Sequence, residues 1–304
     1  MWITRLREYF REHRETRQAL RELRAMRNIE TRDILLDPNT NPIDQAGLCL
    51  RAGDIPSAIR HWKDGFARFP DHVERSHEAL RLAVSLRLLD EAEMLARRGQ
   101  ARRPTDPVFY EVEADAVDWR GDHVKALALW TAITKRFPDR PAAYVRTALC
   151  LGQVGRDHEA GPYLARAVER FPDIMDCRHA YAHLAERDGQ LDAALERWTW
   201  LEEKFPAFPD GVLGAARVLE RLGRPDDAEA RLLAARHRHT SNADFMIALA
   251  HHAARRGAWE DADKDWATIR ARWPRRREGF DGGVEALSAL NRTDAAEALR
   301  ASAP

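Results

Sequence analysis

Residues 141–174 read PAAYVRTALCLGQVGRDHEAGPYLARAVERFPDI, and the order proline, helix, glycine, helix, proline in this stretch decides the fold. Pro141 suits a first helical turn, where its missing N–H leaves no bond unmade, and Asp139 is placed to cap that turn. From Ala142 to Val154 the apolar residues recur at helical spacing. Gly155 then supplies the left-handed conformation that ends a helix. A second helix is expected from about His158 to Glu169, and Phe171-Pro172-Asp173 stops it, because proline disfavours helix in the residue before it.

The same unit recurs along the chain. Gly53, Gly121, Gly155, Gly189, Gly223 and Gly257 fall on one grid of 34 residues, whose other points are Arg87 and Asn291. Five residues after each grid point stands an alanine: Ala58, Ala92, Ala126, Ala160, Ala194, Ala228, Ala262 and Ala296. Seventeen residues after the first seven points stand Pro70, Pro104, Pro138, Pro172, Pro206, Thr240 and Pro274. A period of this length predicts a repeat architecture. The repeats start near residues 39, 73, 107, 141, 175, 209, 243 and 277. No segment alternates with period two, so no strand is expected.

The alanines predict the packing. A small residue recurs in each first helix at 46, 114, 148, 182, 216 and 250, with Leu80 and Val284 as exceptions. Small side chains let two helices approach closely while larger neighbours fill the grooves. Leucine at Ala160 or Ala194 is therefore expected to overpack the core by about 1–3 kcal/mol, read from circular-dichroism melts. Over this period lies a second one: Trp62, Trp130, Trp198 and Trp266 are 68 residues apart, and each is expected in the core. Truncating one to alanine is expected to cost about 3–5 kcal/mol.

Small residue, glycine, Ala-x-x-x-aromatic, then proline resembles the tetratricopeptide repeat family. The aromatic form reads Ala58-x-x-x-Trp62, Ala126-x-x-x-Trp130, Ala194-x-x-x-Trp198 and Ala262-x-x-x-Trp266, and the likeness covers about residues 39–302. It departs at Arg87 and Ala96, where glycine and an aromatic are usual, and at Thr240. The resemblance implies an all-α, right-handed superhelical solenoid of about eight helical hairpins. It also implies partner binding on a concave groove lined by the first helix of each hairpin. By register the candidate lining is Arg81, Arg146, His179, His183, Arg187, Arg217, Arg221, His251 and Arg255. Glu111, Asp115 and Asp118 make repeat three acidic, and Glu186 and Glu220 dilute the basic stretch. The resemblance thus implies a non-enzymatic scaffold holding a protein or peptide segment, with carboxylates suited to the arginines. The positions used by the family's carboxylate-clamp subgroup hold Val145, Leu149, His179 and His183, so its chaperone C-termini are not the expected partner. Doublets of this style are similar to those of bacterial repeat proteins linked to glycosyl-transfer or cell-surface polysaccharide systems. An accessory subunit or module of such a system is the alternative reading.

Residues 1–36 stand outside the repeats, with nine arginines against six acids. Trp2, Leu6, Tyr9, Phe10 and Leu20 share one face of an amphipathic helix, opposite Arg7, Arg11, Arg14 and Glu15. Three readings stay open: a cap on the first repeat, a self-associating coiled coil, or a helix lying on an anionic membrane.

The bulk numbers exclude some classes. Lys plus Arg equals Asp plus Glu at 49 each, which argues against nucleic-acid binding. No run of 18 apolar residues and no secretory h-region occur, so a cytoplasmic protein is expected. The three cysteines, at 49, 150 and 177, read as reduced core thiols. Phosphate-loop, dinucleotide, nucleophile-elbow and zinc-protease patterns are absent. His179 and His183 share a helix face but lack a third ligand in sequence, so neither a metal nor a cofactor is expected.

Overall fold

The structure is a computed structural model that describes residues 41–303. The readings of residues 1–36 lie outside the described residues. The described chain is helical and contains no strand. It divides into two compact units, Met1–Ala180 and Tyr181–Pro304.

The first unit holds α1 (Pro42–Ala52), α2 (Ile55–Arg68), the short α3 (Pro70–Arg75), α4 (His77–Ser85), α5 (Leu89–Arg102), α6 (Pro107–Trp119), α7 (His123–Arg136), α8 (Pro141–Gln153) and α9 (Ala160–Arg170). The division falls within α10 (Met175–Arg187). The second unit continues with α11 (Leu191–Lys204), α12 (Asp210–Arg221), α13 (Pro225–Ala235), α14 (Ala243–Arg255), α15 (Trp259–Arg272), α16 (Arg277–Ala289) and α17 (Thr293–Ala301). Apart from α3, the helices pair into hairpins of a first helix A and a second helix B, as the period predicts.

The turns explain why the grid is so regular. All eight grid points have positive φ, including the two that are not glycine, Arg87 at 63° and Asn291 at 57°. Every helix A therefore leaves through the same left-handed turn, and sequence departs from glycine there without changing the backbone. A left-handed arginine costs about 1–2 kcal/mol. Arg87 offsets part of it, because its guanidinium lies 3.4 Å from the centroid of the Trp119 ring.

The helix starts are less uniform. Asp54, Ser76, Asp106, Asp122 and Asn242 accept backbone N–H bonds from the first turns of their helices. Asp139 does not cap α8. Arg140 stands at that position with no side-chain cap bond, and its guanidinium is held instead by Glu111. Repeat four also enters its second helix through a 3-10 turn, Asp157–Glu159, before α9. Where Thr240 replaces proline, α13 runs on into a 3-10 turn at Arg236–Arg238.

The predicted core is in place. All eight grid alanines and all four tryptophans of the 68-residue series are buried. The three cysteines are buried and unbridged. Glycines off the turn grid serve packing. A Cβ on Gly214 would lie 2.6 Å from Trp198 Cε3, and one on Gly282 would lie 2.7 Å from Trp266 Cδ2. Trp198 and Trp266 thus reach the core because the next helix A offers a glycine against each ring.

Candidate functional site

The predicted lining residues fall on helix A of successive hairpins, and each unit carries its own set. In the second unit the set centres on Glu186, a buried carboxylate on α10. Arg217 of α12 clamps it with two bonds, Nε to Oε1 at 2.6 Å and Nη2 to Oε2 at 2.7 Å. Trp198 donates its indole N–H to Oε2 at 3.2 Å, and Arg221 donates to the Glu186 carbonyl at 2.9 Å. Burial pushes the Glu186 carboxyl up, but the Arg217 guanidinium outweighs it and leaves the group below the usual carboxylate range. One repeat on, Glu220 takes His252 Nδ1 at 3.1 Å and the Arg255 guanidinium. Acids on one helix A therefore staple the basic side chains of the next.

Two of the predicted histidines rest on tryptophans. His183 meets the Trp198 ring edge-on at 4.7 Å, and His251 meets Trp266 at 4.8 Å. Burial, followed by the charge of Arg217, pushes His183 down to about 4. Burial, then Arg255, also lowers His251. Arg187 pairs with Asp188 at 2.8 Å.

The unfolded chain takes up the His183 proton near pH 6.5, whereas the folded chain resists it until about pH 4. The contribution of His183 is fully present above the unfolded value and is lost as pH falls towards the folded one. Lowering the pH from about 7 to about 4.5 should remove on the order of 2 kcal/mol through this group. Glu186, which also faces His183 and is held below the usual carboxylate range, keeps its charge over that window. The urea midpoint should fall across this window for the wild type and fall less for His183→Gln.

In the first unit the predicted residues meet acids too. Glu111 is clamped by Arg140 at 2.7 and 3.0 Å, with Arg81 at 3.7 Å. Asp118 takes His123 Nδ1 at 3.0 Å and the Cys150 thiol at 3.7 Å. Arg146 pairs with Asp115 at 2.7 Å. His179 departs from expectation, because it is buried at 2 % exposure and does not line a surface. Its core-facing place was not readable from register alone.

The acceptors Glu186 and Glu220 were underrated by the sequence reading. Their signal is positional, since Asp118, Glu186 and Glu220 share one place in the 34-residue unit. Most acids of repeat three and most basic side chains of repeats five to seven are paired with opposite charges inside their own unit. Among the described residues no group of three His, Cys, Asp or Glu side chains could hold a metal ion.

Stacked helix–turn–helix units with a left-handed turn residue every 34 positions define a helical-hairpin repeat protein. The sequence profile of the tetratricopeptide repeat matches residues 113–173, 180–225 and 213–274, more than half of the chain, and the chain belongs to that family. No curated protein matches it in sequence. Solved structures share the fold. A tetratricopeptide repeat protein from Parabacteroides merdae superimposes with a TM-score of 0.52 at 16% identity, covering 81% of this chain and 97% of that one. Yeast Tom70 gives 0.62 at 13% identity over 94% and 58% of the two chains. Cut9, solved as a hetero-tetramer with Hcn1, gives 0.53 at 16% over 84% and 51%. At these identities the likeness is one of fold. Tetratricopeptide repeat proteins generally mediate protein–protein contacts. Among the described residues no helix is long and apolar enough to cross a membrane.

Proposed function

We propose that this protein is a non-enzymatic scaffold whose helix-A face in repeats five to seven holds a segment of a protein partner. The observation that carries the reading is the half-exposed arginine row Arg217, Arg221 and Arg255, fixed in place by Glu186 and Glu220. A guanidinium held by one carboxylate keeps N–H donors pointing outward, and it gives up little side-chain entropy when a second acceptor arrives. Arg187, Arg217, Arg221 and Arg255 outnumber Glu186, Asp188 and Glu220, so a partner bearing carboxylates fits better than a basic one. Cut9, which shares the fold, is solved together with another protein, which agrees with a role in assembly. A glycosyl-transfer accessory role has no residue on this face that favours it.

The test is affinity capture with mass spectrometry, comparing wild type with an Arg187→Gln, Arg221→Gln, Arg255→Gln variant. Glutamine is preferred to a charge reversal, which would set new acids against Glu186 and Glu220 and confound binding with folding. The same partner should be captured by wild type and weakened at least tenfold, on the order of 1.4 kcal/mol, by a variant with unchanged melting. Equal capture by both would remove the interface from this face.

A further inference from the structure

Most charges on the helix-A face of the first unit are committed. Glu111 is taken by Arg140 and Arg81, and Asp118 by His123 and Cys150. The Asp115–Arg146 pair differs. The two groups approach to 2.7 Å, yet Asp115 Oδ1 accepts no hydrogen bond, and Arg146 makes none to another described residue. Both side chains remain about a quarter exposed, at 26% and 24%. Oδ1 is closed to solvent beside Arg146, so the side open to a partner is Oδ2 of Asp115 next to the unused N–H donors of the Arg146 fork.

Trp130 forms its floor, with the Arg146 guanidinium 5.9 Å from the ring centroid. The equivalent Trp198 gives its indole N–H to Glu186, but Trp130 has only the shorter Asp118 at that place in the repeat, and its N–H has no acceptor. Burial pushes the Asp115 carboxyl up, as expected for a group short of hydrogen bonds. Buried polar groups in native proteins are otherwise nearly always satisfied.

The charge of the surroundings selects the occupant. Arg81, Arg140 and Arg146 balance Glu111, Asp115 and Asp118, so an incoming ion would gain one neighbour and be repelled by the other. A neutral group with a donor and an acceptor side by side satisfies both halves of the pair. We propose that Asp115 and Arg146, floored by Trp130, form a subsite that reads an amide of a partner segment. The amide oxygen accepts from Arg146 and its N–H donates to Asp115. This rests on the scaffold reading above, and it assigns the first unit a partner chemistry different from the carboxylates suited to the second.

The experiment selects binders to the full chain from a displayed library of 12-residue peptides, then measures affinities by fluorescence anisotropy. A selected peptide should lose at least tenfold when one Asn or Gln becomes Asp, or, for a main-chain source, when one peptide nitrogen is methylated. The wild-type protein alone reads this series, so the test stands even if a protein variant folds poorly. Asp115→Ala and Arg146→Met, checked by melting, should weaken the parent peptide similarly and leave no further loss on altering its amide. Peptides that bind but ignore Asp115 and Arg146, or that depend on an acidic or basic residue there, refute the subsite and leave the scaffold reading intact. A library that yields no binder refutes both.

Discussion

Trp198→Ala should lower the stability of the second unit by about 3–5 kcal/mol. Three contributions add. The indole is 1% exposed, so its whole apolar area returns to water. Gly214 lies against the ring, and a glycine has no side chain with which to fill the space. Glu186 loses a donor, and His183 loses the ring it meets edge-on. Because neighbouring repeats share their interfaces, the loss should broaden the urea transition as well as shift it. Trp198→Phe should recover more than half of the stability, and Trp200→Ala, at a half-buried position, should cost far less. A change below about 1 kcal/mol for Trp198→Ala would contradict its place in the core.

Gly211→Ala should destabilise although alanine is the better helix former by about 1 kcal/mol. Gly211 lies in the first turn of α12, against the backbone of α11. A Cβ there would stand 2.7 Å from Glu202 Cα and 2.9 Å from the Leu201 carbonyl carbon. A side chain in the way could rotate aside, but a helix backbone cannot, so the two helices must separate. A net loss of about 2–3 kcal/mol is expected, with Gly211→Val losing more. Thermal melts of both variants check the ranking. A rise in melting temperature for Gly211→Ala would mean that α11 and α12 are not in close contact at this point.

These two residues show where sequence is informative and where it is not. The tryptophan announces itself, because bulk at a 68-residue spacing has few explanations other than a repeated core. Gly211 and Gly214 announce themselves less, since they lie off the turn grid and recur only once, as Gly279 and Gly282 at the 68-residue spacing. The turn grid was legible even at Arg87 and Asn291, where position rather than residue type carries the signal. Cap assignment failed at Asp139, because the competing Arg140–Glu111 clamp joins residues 29 apart and leaves no local pattern. The candidate site was legible as a set of positions but not as a set of charges. Register placed Arg217, Arg221 and Arg255 on one face of successive helices. It could not show that Glu186 and Glu220 hold them, because each clamp spans 31 to 35 residues between repeats. His179 failed for a related reason, since burial depends on which neighbouring helix covers it.

The measurement that tests the scaffold reading most directly is site-specific photo-crosslinking with the captured partner. A photoreactive residue is placed at Arg221 or Arg255 on the helix-A face, and at exposed Leu233 as a control away from that arginine row. The account predicts crosslinks to the same partner segment from 221 and 255 and none from 233. Crosslinks from 233 alone would contradict it.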